Sequence, residues 1–245
     1  MNTTNLTEDK TLYDRLGYVS SCSAATTPDE RFKSPLPYLQ AFVRRHFPTD
    51  RDAVIFEIGC GAGPIIHVAR SLGYRNIRGV DIASGQVTAA RKLGIDGLSE
   101  MDAVGALVAL DADSLDCVVA FDLLEHLGME ELLQVTEQTA RVLRPGGRWL
   151  IHVPNGESPF FGRVLFGDLT HQRAFTRQSL EQLLGSHFTA IEFIEDQPAV
   201  HGIKSAVRHA AWKVLRCAAA FWIAVESGIT RDVILSQNLV AVARK

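Results

Sequence analysis

A chain of 245 residues, 47% hydrophobic and 22% charged, can bury a large core, which excludes a disordered or fibrous polypeptide. Its net charge of −3 gives no basic footprint for nucleic acid, and no uninterrupted apolar run reaches the length of a membrane span. Cys22, Cys60, Cys117 and Cys217 are scattered, with neither metal-binding nor disulfide spacing, and the polar N-terminus is unlike a secretion signal; a cytoplasmic protein is expected.

In chain order, residues 1–48 are predicted to form an N-terminal cap, with prolines at 28, 35 and 37 leading into an amphipathic helix near 39–46. From residue 49 onward, short Val/Ile-rich segments alternate with longer amphipathic ones, the pattern of an α/β protein with a parallel sheet and crossover helices. Strands are predicted at 53–58, 77–81, 97–101, 116–121, 148–153, 188–195 and 234–243. Helices are predicted near 64–72, 84–92, 103–109, 129–143 and 177–186, the fourth of them stopped by Pro145-Gly146-Gly147.

Two segments exceed what such a domain needs: a connection at 154–176 and an insertion at about 198–232 before the last strand. Long connections inside compact domains are usually functional, and ligands in open α/β sheets sit beyond the carboxyl ends of the strands. The 154–176 loop leaves such an end and is expected to border a substrate pocket.

The first predicted strand runs into Gly59-Cys60-Gly61-Ala62-Gly63-Pro64. Glycine lets the backbone turn tightly and approach a ligand, while proline suits the first position of a helix. Strand, glycine turn and helix N-terminus together form a nucleotide-binding corner. Asp81 ends the second strand about twenty residues on, where a carboxylate can grip ribose hydroxyls. A dinucleotide fingerprint would require glycine where Pro64 stands, so a smaller adenosine cofactor is favoured over NAD.

Glu57 through Gly63, Asp81 and the later Arg141-Val142-Leu143-Arg144-Pro145-Gly146-Gly147 resemble class I S-adenosylmethionine-dependent methyltransferases, over roughly 50–196 and the closing strand. The resemblance implies a single Rossmann-like seven-stranded mixed sheet of order 3-2-1-4-5-7-6, with the last strand antiparallel. It implies S-adenosyl-L-methionine as cofactor, near Gly59, Cys60, Gly61 and Gly63, with Glu57 reaching its amino group or else anchoring the turn. Cys60 is expected as a small residue of the turn. Asp81, followed by Ile82, would hold the ribose, leaving Ser84 to cap the next helix. Asp102 would lie beside the adenine amine with Ala103 offering an amide, or Asp102 would simply start the 103–109 helix. Phe121 and Asp122 end the fourth strand beneath the sulfonium end; His126, just beyond, could meet substrate or pack at a helix start.

Methyl transfer to oxygen needs alignment and removal of a proton, for which histidine is suited near neutral pH. In the 162–172 loop, Asp168 and His171 form a candidate base with an orienting acid, the alternative being a loop pinned by local hydrogen bonds. Asp168, His171 and His126 could assemble around a metal, but the sequence defines no ligand set and none is expected.

The stretches Pro154 to His171 and Pro198 to Ser205 are similar to a bacterial subgroup associated with surface polysaccharide and other glycan biosynthesis. That similarity implies O-methylation of a sugar or lipid-linked glycan, with another small acceptor such as a quinone, or a non-catalytic cofactor-binding module, as alternatives. No Asn/Asp-Pro-Pro-Tyr run follows the fourth strand, which argues against amino nitrogens of nucleic acid. Residues 203–225 form an amphipathic helix with Lys204, Arg208, His209, Lys213 and Arg216 on one half. Val207, Ala211, Val214, Ala218, Phe221 and Val225 occupy the other half, and Trp212 and Trp222 lie near the boundary. Such a helix suits peripheral contact with the inner face of a membrane, covering of the sheet, or pairing with a partner subunit such as a second copy in a homodimer.

Overall fold

The computed structural model describes residues 26–229 and 231–245; the remainder of the expected cap, residues 1–25 with Cys22, lies outside them. Two helices, α1 (Pro28–Arg31) and α2 (Leu36–His46), precede the sheet. There follow β1 (Ile55–Ile58), α3 (Pro64–Ser71), β2 (Ile77–Asp81), α4 (Ser84–Lys92), β3 (Leu98–Glu100), α5 (Ala103–Val108) and β4 (Leu115–Phe121). A single turn of 3-10 helix at Leu124–His126 leads to α6 (Met129–Val142) and β5 (Leu143–Pro154). The chain ends with α7 (Phe161–Leu165), α8 (Arg177–Leu184), β6 (Ala190–Glu195), α9 (Ile203–Ser227) and β7 (Asn238–Arg244).

The strands form one sheet of order β3-β2-β1-β4-β5-β7-β6, with β7 antiparallel to both β5 and β6. The central strands are apolar on both faces because helices cover both. On β4, Cys117 and Val119 point into a core shared with Phe42, Ile65 and Ile66, whereas Val118 and Ala120 point into one shared with Leu132, Val135 and Leu180. That alternation is the two-residue period of a strand. The described part of the cap is integral to the first core, through Phe32, Leu39, Phe42, Val43 and Phe47.

Strand order runs outward in opposite directions from β1 and β4, which are parallel neighbours, Ile55 opposite Cys117 and Ile58 opposite Ala120. The crossovers from these two strands therefore go to opposite sides and leave a crevice beyond their carboxyl ends. Pro145-Gly146-Gly147 lies not before the fifth strand but inside its first half, where the β4–β5 register slips between Leu115 and Cys117.

The inserted helix corrects one expectation. The side of α9 that meets the body carries Ser205, His209, Trp212 and Arg216, where Arg216 pairs with Glu195 at 2.7 Å and donates to the Val233 carbonyl. Val207, Val214, Phe221 and Val225 face solvent at 65–72% exposure, so the apolar half of this helix does not cover the sheet.

Candidate active site

The corner after β1 has the geometry its glycines allow. Gly59 and Gly61 take φ of +69° and +52°, a region costly for other residues, and a Cβ on Gly59 would come within 2.7 Å of Leu123 Cδ1. The Gly61 amide then donates to Asp81 Oδ2 at 2.7 Å, and Ala83 N–H donates to Asp81 Oδ1 at 2.8 Å. Asp81 thus ties the glycine turn to the start of α4. Ser84 is not the cap: Ala83 occupies that position without a side-chain cap bond, and its own amide donates to Asp81. Each Asp81 oxygen keeps a lone pair for a further donor, and burial raises its carboxyl above the ordinary range.

Glu57 lies in β1, 2% exposed, and its Oε2 has no hydrogen-bond partner among the described residues. Burial and the nearby charge of Asp81 push its carboxyl well above the usual carboxylate range. A buried carboxylate is costly unless a cation or donors meet it. The α-amino group of a bound amino acid is such a cation.

Glu57, Gly59, Cys60, Gly61, Asp81, Ile82, Asp102, Ala103, Phe121, Asp122 and His126 all line one cleft of about 500 Å³ at the β1/β4 crevice, within the size range of small-molecule sites. Gly63 stands just behind it at the N-cap of α3. Asp102 Oδ1 accepts from Gly105 N–H at 2.7 Å, so it caps α5 while also facing the cleft. Cys60 is buried with its thiol pushed upward by burial, the state of a packing residue rather than a thiolate. Asp122 adopts φ +51° and accepts from His152 Nδ1 at 2.6 Å; His152 also stacks on Phe121 at 4.0 Å.

At the β4 end the 154–176 loop folds back onto the 3-10 turn. Gln172 N–H donates to the Glu125 carbonyl, and its side-chain amide donates to the His126 carbonyl. This brings His171 over His126, ring centroids 4.7 Å apart. His171 Nδ1 lies 3.0 Å from the Val164 carbonyl, an acceptor only, so Nδ1 carries the proton. Asp168 Oδ1 accepts from both the amide and the hydroxyl of Thr170, and the same hydroxyl lies 2.8 Å from His126 Nδ1. Thr170 gives its proton to Asp168 and therefore accepts from His126 Nδ1–H. The acid expected to orient His171 is coupled through Thr170 to His126. Burial, with His171 adding to it, lowers the basicity of His126 and favours its neutral form. Glu125, given no role from sequence, is 1% exposed; burial, with Asp122 adding, raises its carboxyl to about 8.

Glycine corner, strand-end acid and sheet order are those of the class I methyltransferase fold. Residues 56–151 match the family model described as a methyltransferase domain. No curated protein matches the chain in sequence. Among solved structures, a SAM-dependent methyltransferase from Archaeoglobus fulgidus superposes with a TM-score of 0.64 at 20% identity, over 89% of this chain and 97% of that one. Phosphoethanolamine N-methyltransferase 2 of Haemonchus contortus, in complex with S-adenosyl-L-methionine, gives 0.57 at 20% identity, over 84% of this chain and 52% of that one. A Haloferax volcanii complex of the Trm112 methyltransferase activator with a methyltransferase gives 0.59 at 16% identity, over 89% and 92%. At such identities the likeness concerns the fold.

The residues present fit such a cofactor: Glu57 would offer its unpartnered oxygen to an ammonium and Asp81 its remaining lone pairs to two hydroxyls, while Asp102 and Ala103 border the remaining wall. When bound, S-adenosylmethionine supplies an activated methyl group on a sulfonium. The chain's own part would be to hold that group in line with an acceptor, an alignment for which proximity is worth about 7–11 kcal/mol.

Proposed function

We propose that the chain methylates a hydroxyl oxygen of a sugar or lipid-linked glycan. The observation that carries this reading is the His126–His171 pair, of which His126 lines the β4 end of the cleft and His171 packs against it from outside the lining. His126 donates through Nδ1, so Nε2 is the basic nitrogen, and as a neutral imidazole it can take a hydroxyl proton near pH 7. Asp168 holds His126 in that tautomer through Thr170, and Val164 does the same for His171. An amine acceptor would arrive charged and would be served better by carboxylates alone.

Support for a glycan on a lipid comes from a second cleft, of about 480 Å³, between α9 and the start of α2. Tyr38, Phe160 and Trp212 give it aromatic faces, and Asp196, Gln237 and Asn238 give it polar partners. Beside it, α9 presents Val214, Phe221, Trp222 and Val225 to solvent together with Lys204, Arg208 and Lys213, a combination suited to an anionic lipid surface. No helix among the described residues is long and apolar enough to cross a membrane, so any contact would be peripheral.

The test is release of S-adenosylhomocysteine against nucleotide sugars, glycolipids and quinol precursors. Turnover with a saccharide acceptor is expected; turnover with quinols alone would replace the sugar reading. Cofactor binding without turnover would favour a non-catalytic module. Co-sedimentation with anionic liposomes at low salt should retain the protein. A dimer in solution, with no liposome binding, would assign the α9 face to a second copy instead.

A further inference from the structure

We propose that Glu125, His126 and His171 form a binding site for one divalent transition-metal ion at the acceptor end of the cleft. One ligand atom from each residue lies within 4.8 Å of the other two. Metal–donor bonds of about 2.0–2.2 Å span at most a little over 4 Å, so small side-chain rotations would close the set. Glu125 and His126 come from the 3-10 turn after β4, and His171 from the loop tied onto it by Gln172.

Two observations beyond proximity point to a cation. The first is Glu125 Oε2, buried and without a hydrogen-bond partner among the described residues, while Oε1 lies 4.0 Å from His171 Nε2. A buried carboxylate oxygen is costly unless something positive meets it. The second is that both imidazoles are oriented as metal ligands are. Each gives its Nδ1 proton to an oxygen, His171 to the Val164 carbonyl and His126 to Thr170 Oγ1, which is itself held by Asp168. That leaves Nε2 as the lone-pair nitrogen on both rings, and such outer partners fix ligand histidines in known metal sites. Two imidazoles and one carboxylate favour Zn²⁺, Co²⁺, Mn²⁺ or Fe²⁺ over Ca²⁺ or Mg²⁺, and three ligands leave positions open.

The site deepens the oxygen-acceptor reading and, for its role, rests on it. An acceptor hydroxyl on an open position would be acidified by the ion. Its proton would pass to water as the O–CH3 bond forms and the S–CH3 bond breaks, with that bonding pair remaining on sulfur. With the ion bound the histidine lone pairs serve it and water takes the proton; imidazole acts as the base only in the metal-free protein.

The experiment titrates Co²⁺ into full-length protein stripped with chelator, following visible absorption and heat. One equivalent should bind with a ligand-field band, and Glu125→Gln and His171→Gln should each weaken binding by at least about 100-fold. Thr170→Val, which touches no metal, should cost about 10–100-fold. S-adenosylhomocysteine binding by every variant controls for folding. No Co²⁺ binding, or equal binding by wild type and both ligand variants, overturns the site. Full turnover of stripped protein on a saccharide overturns the metal's role and leaves the acceptor reading standing. Wild-type binding lost in the variants, with no acceptor methylated, supports the site and removes the acceptor reading.

Discussion

Glu57, buried near the end of β1, and Asp81, half-buried at the end of β2, are both acids, yet their environments give them different work. Asp81 already receives two backbone amides, whereas Glu57 Oε2 receives nothing among the described residues. Burial, with the charge of Asp81 adding to it, holds Glu57 well above the carboxylate range and so favours its protonated form in the free protein. An ammonium arriving beside it favours the ionised form, so cofactor binding should release a proton and affinity should rise with pH. Calorimetry with S-adenosylhomocysteine in buffers of different ionisation enthalpy measures this directly; Glu57→Gln should abolish the release. Asp81→Ala removes two charge-assisted bonds of about 1.5–3 kcal/mol each and should weaken binding about 100-fold or more. Unchanged affinity would remove Asp81 from the ribose site. Both acids were legible in the sequence because each ends an apolar strand beside glycine turn chemistry. Glu125 was not, since its burial depends on Gln172 and the returning loop, forty-odd residues away.

Among the elements, β2 has little tolerance at Gly79. A Cβ on Gly79 would lie 2.9 Å from both Cys60 Cβ and the Glu57 carbonyl oxygen, so β1 and its corner would have to move. Gly79→Ala should therefore cost about 1–3 kcal/mol and weaken cofactor binding as well, visible as a lowered Tm that added S-adenosylhomocysteine restores poorly. A Tm and affinity equal to wild type would mean that the corner is more pliable than its contacts indicate. In α9 the expectation is the reverse: Phe221 and Trp222 are about 70% exposed, so Phe221→Asp with Trp222→Asp should leave Tm nearly unchanged while abolishing liposome binding. The sequence periodicity of this helix defined its two halves but not which one meets the protein. Arg216 decided that, by reaching Glu195 and the Val233 carbonyl, and neither partner is near it in sequence. The strands and the longer helices were legible because hydrophobic period depends on local order alone, whereas the short helices α1 and α7, too brief to show a period, were not. The Pro145-Gly146-Gly147 stop was misplaced because its strand begins before the glycines, in a pairing with β4 that slips register.

Across the whole molecule, one buried charge joins sheet, cap and both clefts. His152 on β5 is 2% exposed, with Nδ1 on Asp122 at 2.6 Å and Nε2 3.5 Å from Asp196 Oδ2. Tyr38 and Phe42 of α2 and Phe121 of β4 pack around its ring, and His46 lies in the same aromatic group. Burial alone would strip its proton, but the two carboxylates outweigh that and lift its pKa to about 10. A histidine raised above its unfolded value near 6.5 stabilises the fold fully below that pH, and the contribution disappears as pH rises through the folded value. Stability should therefore decline between about pH 6.5 and 10, by about 2–4 °C in Tm for each kcal/mol lost in a domain of this size. Burial lowers His46 to about 4, and its effect lies at the acid end, outside this window. The same charge holds Asp122, which lines the cofactor cleft, so the rise of affinity with pH that Glu57 produces should be offset over the alkaline part of the range as the His152–Asp122 contact loosens. Comparing Tm against pH for wild type and His152→Gln checks the assignment. The variant should begin lower and lose the slope between pH 6.5 and 10, whereas an identical slope in both proteins would place the titrating group elsewhere.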